Sequence, residues 1–134
     1  MPVNVLLADD STIMRKAIKF LLRNRAEIRI VGEASNFLET IEKTMELSPD
    51  VIVLDLYMPD RSSFTAIELK AVLKDSRVVA ISFGVNEEAE ALAKGVGAVT
   101  LLHKMVLSRE LVLTIMQLGS SKLRVNQRNV TSAI

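Results

Sequence analysis

Short runs of apolar residues alternate along the chain with longer segments in which apolar residues recur every three or four positions. The continuous runs are typical of strands covered on both faces of a sheet, and the spaced segments are typical of amphipathic helices. Short connections between such units require right-handed crossovers, so the pattern predicts an α/β domain with a five-stranded parallel sheet of order 2-1-3-4-5 and flanking helices. The predicted strands cover residues 3–8, 28–31, 51–54, 77–82 and 98–102.

Capping residues mark where the predicted helices begin. Asp10 or Ser11 can cap a first helix that runs to about residue 24, and Asn36 can cap a second. Further helices are predicted over residues 64–73 and 86–94. In the second helix, the apolar residues expected on one side are Leu38, Ile41 and Met45.

The last helix is predicted to begin after Ser108 and to place Leu111, Ile115 and Leu118 on one face. Gly119 and the two serines after it are expected to break this pattern. We therefore predict one domain over residues 1–120, followed by a tail or helix extension over residues 121–134.

Composition narrows the possible functions. The chain has 134 residues, of which 49% are apolar, and this is enough for the core of one domain. A net charge of +1 does not favour direct binding to nucleic acid, and the absence of cysteine excludes disulfides and thiolate metal sites. No apolar run reaches membrane-spanning length and no signal peptide is recognisable, so we expect a cytoplasmic protein that does not enter a membrane. A basic run is expected to form a solvated helix face, with docking of an acidic partner as the alternative: Arg15, Lys16, Lys19, Arg23 and Arg25.

Polar residues stand at the carboxyl end of four predicted strands. Asp9 and Asp10 follow the first strand, Asp55 ends the third, Ser82 ends the fourth and Lys104 follows the fifth. Taken singly, each has an ordinary explanation: a helix cap, a turn residue, a strand-end hydroxyl or a surface lysine. Because the carboxyl ends of parallel strands form the ligand crevice of such a sheet, we expect these side chains to converge.

Three clustered carboxylates repel one another unless a cation or a proton intervenes. Oxygen ligands favour a hard cation, and Mg²⁺ takes few protein ligands while keeping several waters. In that setting Asp55 is predicted to act as a carboxylate nucleophile that forms an aspartyl phosphate, with Lys104 and Ser82 holding the phosphoryl oxygens. His103 is the only histidine, and we expect it to be a surface or loop residue.

With these residues in this order, residues 3–118 resemble the receiver domain of two-component response regulators, which has a flavodoxin-like fold. The resemblance rests on the acidic pair, on Asp55 with Met58-Pro59 three and four residues later, on Ser82 and on Lys104. It implies that Asp55 is the phosphoacceptor, that Ser82 is the switch hydroxyl and that Lys104 is the phosphoryl counter-ion. The ligands that it implies for Mg²⁺ are Asp10, Asp55 and the backbone carbonyl of Tyr57, with Asp9 bound through water.

Four positions depart from the receiver pattern. Leu101 stands where an aromatic residue is common, and Phe83 replaces the usual small residue after the switch hydroxyl. Ser63 replaces a glycine in the loop after the phosphoacceptor, and Met105 replaces a frequent proline. None of these changes removes a group needed for phosphoryl transfer, so they bear on how the switch is read out.

The resemblance also implies partners. The phosphodonor would be a sensor histidine kinase or a phosphotransfer protein, and the output would be a downstream effector protein, an output domain or a second copy of the chain. Residues 30–36, together with residues 97–98 and 102–104, look most like the receivers fused to a helix-turn-helix domain. One alternative is a receiver-like interaction module that acts without phosphorylation. A nucleotide- or flavin-binding protein is disfavoured, because the loop after the first strand has two acids and no glycine.

Overall fold

The computed structural model describes residues 1–132, with side chains through residue 119. Five strands and five α-helices alternate along the chain. The strands are β1 (Val3–Ala8), β2 (Ile28–Ala34), β3 (Val51–Asp55), β4 (Arg77–Ser82) and β5 (Thr100–His103). The α-helices are α1 (Thr12–Leu22), α2 (Phe37–Leu47), α3 (Ala66–Leu73), α4 (Glu87–Gly95) and α5 (Leu107–Ser132), and short 3₁₀ turns cover Arg61–Ser63 and Lys104–Val106.

The strands form one parallel sheet of order β2-β1-β3-β4-β5, which confirms the predicted fold. Most boundaries lie within a few residues of those expected. β5 begins two residues later than predicted, at Thr100, and α3 begins at Ala66, after Thr65 closes a capping box with Glu68. β2 is longer than predicted and runs to Ala34.

The pairing of β1 with β2 contains an irregularity. Val5 pairs with Ile30, but the next residue, Leu6, pairs with Gly32. Val31 is therefore an extra residue on β2, as in a β-bulge. A bulge changes which face of the sheet the following side chains occupy, because successive residues of a strand point to opposite faces.

The core has two layers, one on each face of the sheet. On one face, side chains of α1 and α5 pack over alternate strand residues, and Ile18, Leu22, Leu111 and Ile115 are buried there. The other face is covered by α2, α3 and α4. Since both faces are covered, β3 is buried along its whole length, which explains its continuous apolar run.

The buried side of α2 differs from the predicted one. Leu38 and Met45, two of the three apolar residues expected on one side of this helix, are exposed by 52% and 72%. The stripe that faces the sheet begins one residue earlier, at Phe37, which is fully buried. Two threonines complete it, and the hydroxyl of Thr40 donates to the carbonyl of Asn36 at 2.7 Å, which satisfies a polar group that the sequence pattern counts as solvent-facing.

Gly119 does not end α5, contrary to the prediction, since the helix continues to Ser132. A methyl group at this position would collide with the Cγ2 atom of Val3 on β1. The glycine therefore permits close approach of α5 to the first strand, at the cost of some helix propensity. Ser108 is likewise not the N-cap, because α5 already begins at Leu107, directly after the 3₁₀ turn.

Within the described residues, no helix is both long enough and apolar enough to span a membrane.

Candidate functional site

Three carboxylates meet at the carboxyl ends of β1 and β3, which are neighbours in the sheet. Asp9 and Asp55 are buried, with 1% and 4% of their surface exposed, whereas Asp10 is open to solvent. One oxygen from each of the three side chains lies within 4.8 Å of the others. The strand ends thus bring Asp55 together with an acidic pair that lies 45 and 46 residues earlier in the sequence, as predicted.

Lys104 reaches into this cluster from the end of β5. Its Nζ lies 2.8 Å from Oδ2 of Asp9 and 3.4 Å from Oδ2 of Asp55, and only 7% of its side chain is exposed. Oδ2 of Asp9 is buried and receives no aligned hydrogen bond, so this contact is ionic rather than directional. One ammonium group therefore faces three carboxylates, which leaves an excess of negative charge at the site.

The environment of Asp55 disfavours its charged form. Burial raises the pKa of this carboxyl from 3.8 to about 6, and the Asp9 charge and a hydrogen bond with Asp10 act in the same direction. The Tyr57 amide, which donates to Oδ1 at 3.0 Å, and Lys104 lower the pKa but do not cancel these effects. Any cation that enters the cluster therefore stabilises the charged form of this carboxylate.

A cavity of about 500 Å³ opens above the acids. Ser82, at the end of β4, lines it, and its Oγ accepts a hydrogen bond from the Gly84 amide at 3.1 Å. The hydroxyl proton remains available to donate toward the cavity. Phe83 and Tyr57, which are 60% and 45% exposed, also border it. All of the site residues predicted from the sequence thus line one cavity: Asp9, Asp10, Asp55, Tyr57, Ser82 and Lys104.

The four departures from the expected pattern have different structural settings. Phe83 places its ring centroid 4.9 Å from Nζ of Lys104, which is a cation–π contact at the cavity rim. Leu101 packs against the α3–α4 side of the core, and Met105 is exposed. Ser63 adopts no positive φ, a conformation that only Ser48 and Gly97 show among the described residues, so this position does not require glycine.

Two residues near the site make contacts that the sequence pattern does not predict. Arg15 belongs to the basic run expected to be solvated, but its guanidinium donates to the Asp9 carbonyl at 2.6 Å and pairs with Glu33. Asp60 lies in the loop after Asp55 and accepts the Phe37 and Leu38 amides at the start of α2, at 2.8 and 3.0 Å. Both depend on tertiary contacts. A single arginine amid other basic residues, or one acid in a loop, gives no local signal of such contacts.

His103 lies at the end of β5, and its Nδ1 accepts the Met105 amide at 3.0 Å. It therefore organises the turn after the strand. The acidic cluster contains no histidine, so the donors that the described residues offer a cation are all oxygen atoms.

Comparison with known proteins identifies the family. Residues 5–116 match the family model described as the response regulator receiver domain. The chain belongs to this family. The predicted resemblance is thereby confirmed, and the cluster of acids occupies the carboxyl edge of a receiver fold.

Solved receiver structures resemble this chain along most of its length. The response regulator domain of CheB from Thermotoga maritima aligns with a TM-score of 0.76 and 30% identity, covering 90% of this chain and 98% of that one. The receiver domain of the regulator NarL from Mycobacterium tuberculosis aligns with a TM-score of 0.77 and 26% identity, covering 89% and 97%.

Curated relatives are longer proteins. A protein-glutamate methylesterase/protein-glutamine glutaminase of Carboxydothermus hydrogenoformans is 39% identical over 80 residues, which are 60% of this chain and 23% of that protein. The corresponding protein of Archaeoglobus fulgidus is 34% identical over 135 residues, covering 92% of this chain and 38% of that protein. This chain thus spans well under half of the relatives it matches and corresponds to their receiver part. The predicted likeness to receivers fused to a helix-turn-helix domain stays a prediction, since the names of these curated relatives state a methylesterase and a glutaminase.

Proposed function

We propose that this receiver accepts a phosphoryl group on Asp55 in a Mg²⁺-dependent reaction and thereby switches its contacts with a partner. The observation that carries this proposal is the cluster itself: three carboxylate oxygens within 4.8 Å, with one ammonium 3.4 Å from Asp55. The buried acid pair would be costly to maintain as a purely structural element, because burial raises the pKa of Asp55 to about 6 and the Asp9 charge acts in the same direction.

The residues present suit a hard divalent cation. The donors are carboxylate oxygens, and Oδ2 of Asp9 is a buried acceptor without an aligned donor. We propose that Asp10, Asp55 and the Tyr57 carbonyl hold Mg²⁺, with Asp9 reaching it through water. When bound, the ion neutralises charge on the phosphoryl oxygens and on the carboxylates.

The reaction begins with attack of an Asp55 carboxylate oxygen on the phosphorus of the donor. An O–P bond forms while the bond from phosphorus to the donor breaks, and the leaving group keeps the electron pair and takes a proton from solvent. Lys104 then exchanges part of its contact with Asp9 and Asp55 for a phosphoryl oxygen, and the Ser82 hydroxyl donates to another. Hydrolysis returns the carboxylate and inorganic phosphate. In this scheme the chain promotes only its own phosphorylation and dephosphorylation.

We further propose a histidine kinase or phosphotransfer protein as donor and a downstream effector, an output domain or a second copy of the chain as the partner that reads the switch. The support is family membership and the longer relatives, whose names state methylesterase and glutaminase activities. We propose that this phosphoryl transfer takes place in the cytoplasm and that this chain does not contact nucleic acid directly.

The test is intact-mass spectrometry after incubation with acetyl phosphate or phosphoramidate, with Mg²⁺ or with a chelator. We expect one phosphoryl adduct in the wild type with Mg²⁺, little without it, and none in Asp55→Asn. Asp75→Asn is the matched control, because this exposed aspartate lies in the turn before β4, outside the acidic cluster.

A folded wild-type protein that takes up no phosphoryl group from either donor or from a histidine kinase would contradict the proposal. It would favour the module that acts without phosphorylation, and the Phe83 ring at the cavity rim would be the first suspect for blocked access.

A further inference from the structure

Arg15, in the first turns of α1, connects three parts of the molecule through one side chain. Its NH1 donates to the carbonyl oxygen of Asp9 at 2.6 Å, and its Nε donates to Oε1 of Glu33 on β2 at 3.0 Å. NH2 lies 3.4 Å from the hydroxyl of Thr12. The side chain is only 15% exposed, so this arginine is held in place rather than solvated.

The carbonyl that Arg15 binds belongs to the peptide between Asp9 and Asp10. On its other side, the Asp9 amide donates to the Ala34 carbonyl of β2 at 3.0 Å. The Ser11 amide, one peptide further on, donates to Oδ1 of Asp9 at 2.8 Å. The orientation of the Asp9–Asp10 peptide sets the direction in which the Asp10 side chain leaves the backbone, because this plane is rigid.

Glu33 fixes the other end of Arg15. It also pairs with Lys19 at 2.9 Å, and the hydrogen bond from Lys19, followed by that from Arg15, lowers the pKa of Glu33 despite its partial burial. Glu33 is therefore charged near neutral pH. An arginine can contact this carboxylate and the Asp9 carbonyl together, because its planar fork offers several donors in fixed directions.

We propose that Arg15 is a positioning residue for the cation site: clamped by Glu33, it holds the Asp9–Asp10 peptide so that both carboxylates face Asp55. This inference rests on the proposed Mg²⁺ site. The proposed positioning role strengthens Mg²⁺ binding. The positive charge of Arg15 acts in the opposite direction, because a positive charge beside the cluster by itself weakens cation binding.

The opposition between charge and position gives a sharp test. Tyr57 adjoins the cluster and is the only tyrosine in a chain without tryptophan, so its fluorescence reports on the site. Mg²⁺ is titrated into the full chain and into Arg15→Lys, Arg15→Met and Glu33→Gln. Lys16→Met is the matched control, because it removes one positive charge from the neighbouring, exposed residue of the same helix.

We expect Arg15→Lys and Arg15→Met each to weaken Mg²⁺ binding about tenfold, the lower end of the effect of losing an outer-shell partner. Glu33→Gln should weaken it less, and Lys16→Met should leave it unchanged or slightly tighter. Hydrogen exchange gives a readout without metal: the Ser11 amide should exchange faster in both Arg15 variants, while amides in β3 keep their protection.

Wild-type affinity in Arg15→Lys, or tighter binding in Arg15→Met, would overturn the positioning role and leave only an effect of charge. A wild-type protein with no saturable response to Mg²⁺, measured also by calorimetry, would instead overturn the metal site, and this inference with it. The two failures are distinguishable because the first requires a binding wild type.

Discussion

The two ends of the sheet use aspartate in opposite ways. At the amino end, Oδ2 of Asp50 accepts the Asn4 amide at 2.8 Å, and the backbones of these two residues are joined by a second bond of 2.9 Å. At the carboxyl end, Asp9 and Asp55 are buried near each other, and Lys104 is the cation that both contact. Each of these carboxylates accepts a backbone amide, since Asp9 and Asp55 accept those of Ser11 and Tyr57, but the second arrangement also places other carboxylates beside it.

The difference separates stability from function. A carboxylate that accepts backbone amides stabilises the turn it belongs to. Clustered carboxylates repel one another and so destabilise the folded protein in the absence of a ligand. A cation or a phosphoryl group that enters relieves this repulsion, and the relief contributes to its affinity. The same substitution, aspartate to asparagine, should therefore have opposite effects on stability at the two ends.

The largest effect is expected for Asp55→Asn. The pKa of Asp55 is raised to about 6, so the folded protein binds this proton more tightly than the unfolded chain and loses stability as pH rises from about 4 to 6. Removing the charge should raise the free energy of unfolding by about 2 kcal/mol at pH 7, in a chelator, with little effect at pH 4. Urea denaturation at both pH values measures this.

Magnesium sharpens that prediction. Adding Mg²⁺ at pH 7 should stabilise the wild type, because the ion binds the folded state. The difference in the free energy of unfolding between the wild type and Asp55→Asn should therefore become smaller. Asp75→Asn serves again as the control and should show neither the gain nor a change in its response to Mg²⁺. A destabilised Asp55→Asn would mean that its carboxylate is structurally favourable, and the contrast between the two ends would disappear.

The second prediction concerns Asp50→Asn at the amino end. The amide oxygen can still accept the Asn4 amide, but the bond loses its charge, so we expect a loss of about 1 kcal/mol at pH 7. Thermal or urea unfolding measures it, with Mg²⁺ making no difference to the size of the loss. A gain in stability here would show that the carboxylate is strained rather than satisfied.

The smallest effect is expected for Gly119→Ala, where α5 passes the beginning of β1. Alanine improves helix propensity by about 1 kcal/mol, but its methyl group collides with Val3, so the net loss should be below about 1 kcal/mol. In a Val3→Ala background the same change should become stabilising. If Gly119→Ala stabilises the wild type as well, α5 does not approach the strand as closely as the structure shows.

The fold and the convergence of the predicted site residues follow from the sequence because they depend on local signals. Parallel strands end at one edge, so residues such as Asp55 and Lys104 can be placed together without knowing any side-chain contact. The roles assigned to these residues remain predictions, which the phosphorylation and Mg²⁺ experiments test.

What escapes the sequence depends on neighbours distant in the chain. Leu38 and Met45 have the spacing of core residues, but Phe37 occupies the buried position instead. Thr40 can also be buried, because its hydroxyl forms a hydrogen bond within the helix. Gly119 has the local signature of a helix end, but Val3 occupies the space that a side chain would need. In these cases the outcome depends on residues of other elements or on which face of the helix packs against the sheet. A pattern along one segment contains neither kind of information.

The extra residue in β2 has a consequence for the evolution of the acidic site. After the bulge, Glu33 pairs with Leu7, which faces α1 and α5, and this is the side from which Arg15 approaches. Without the bulge, Val31 would pair with Leu6 and Glu33 with Ala8, which faces α2, so Glu33 would point away from Arg15. The register of one strand, more than 20 residues from the acidic pair, thus decides whether the clamp on that pair can form, although every residue of the cluster itself is the same in either register.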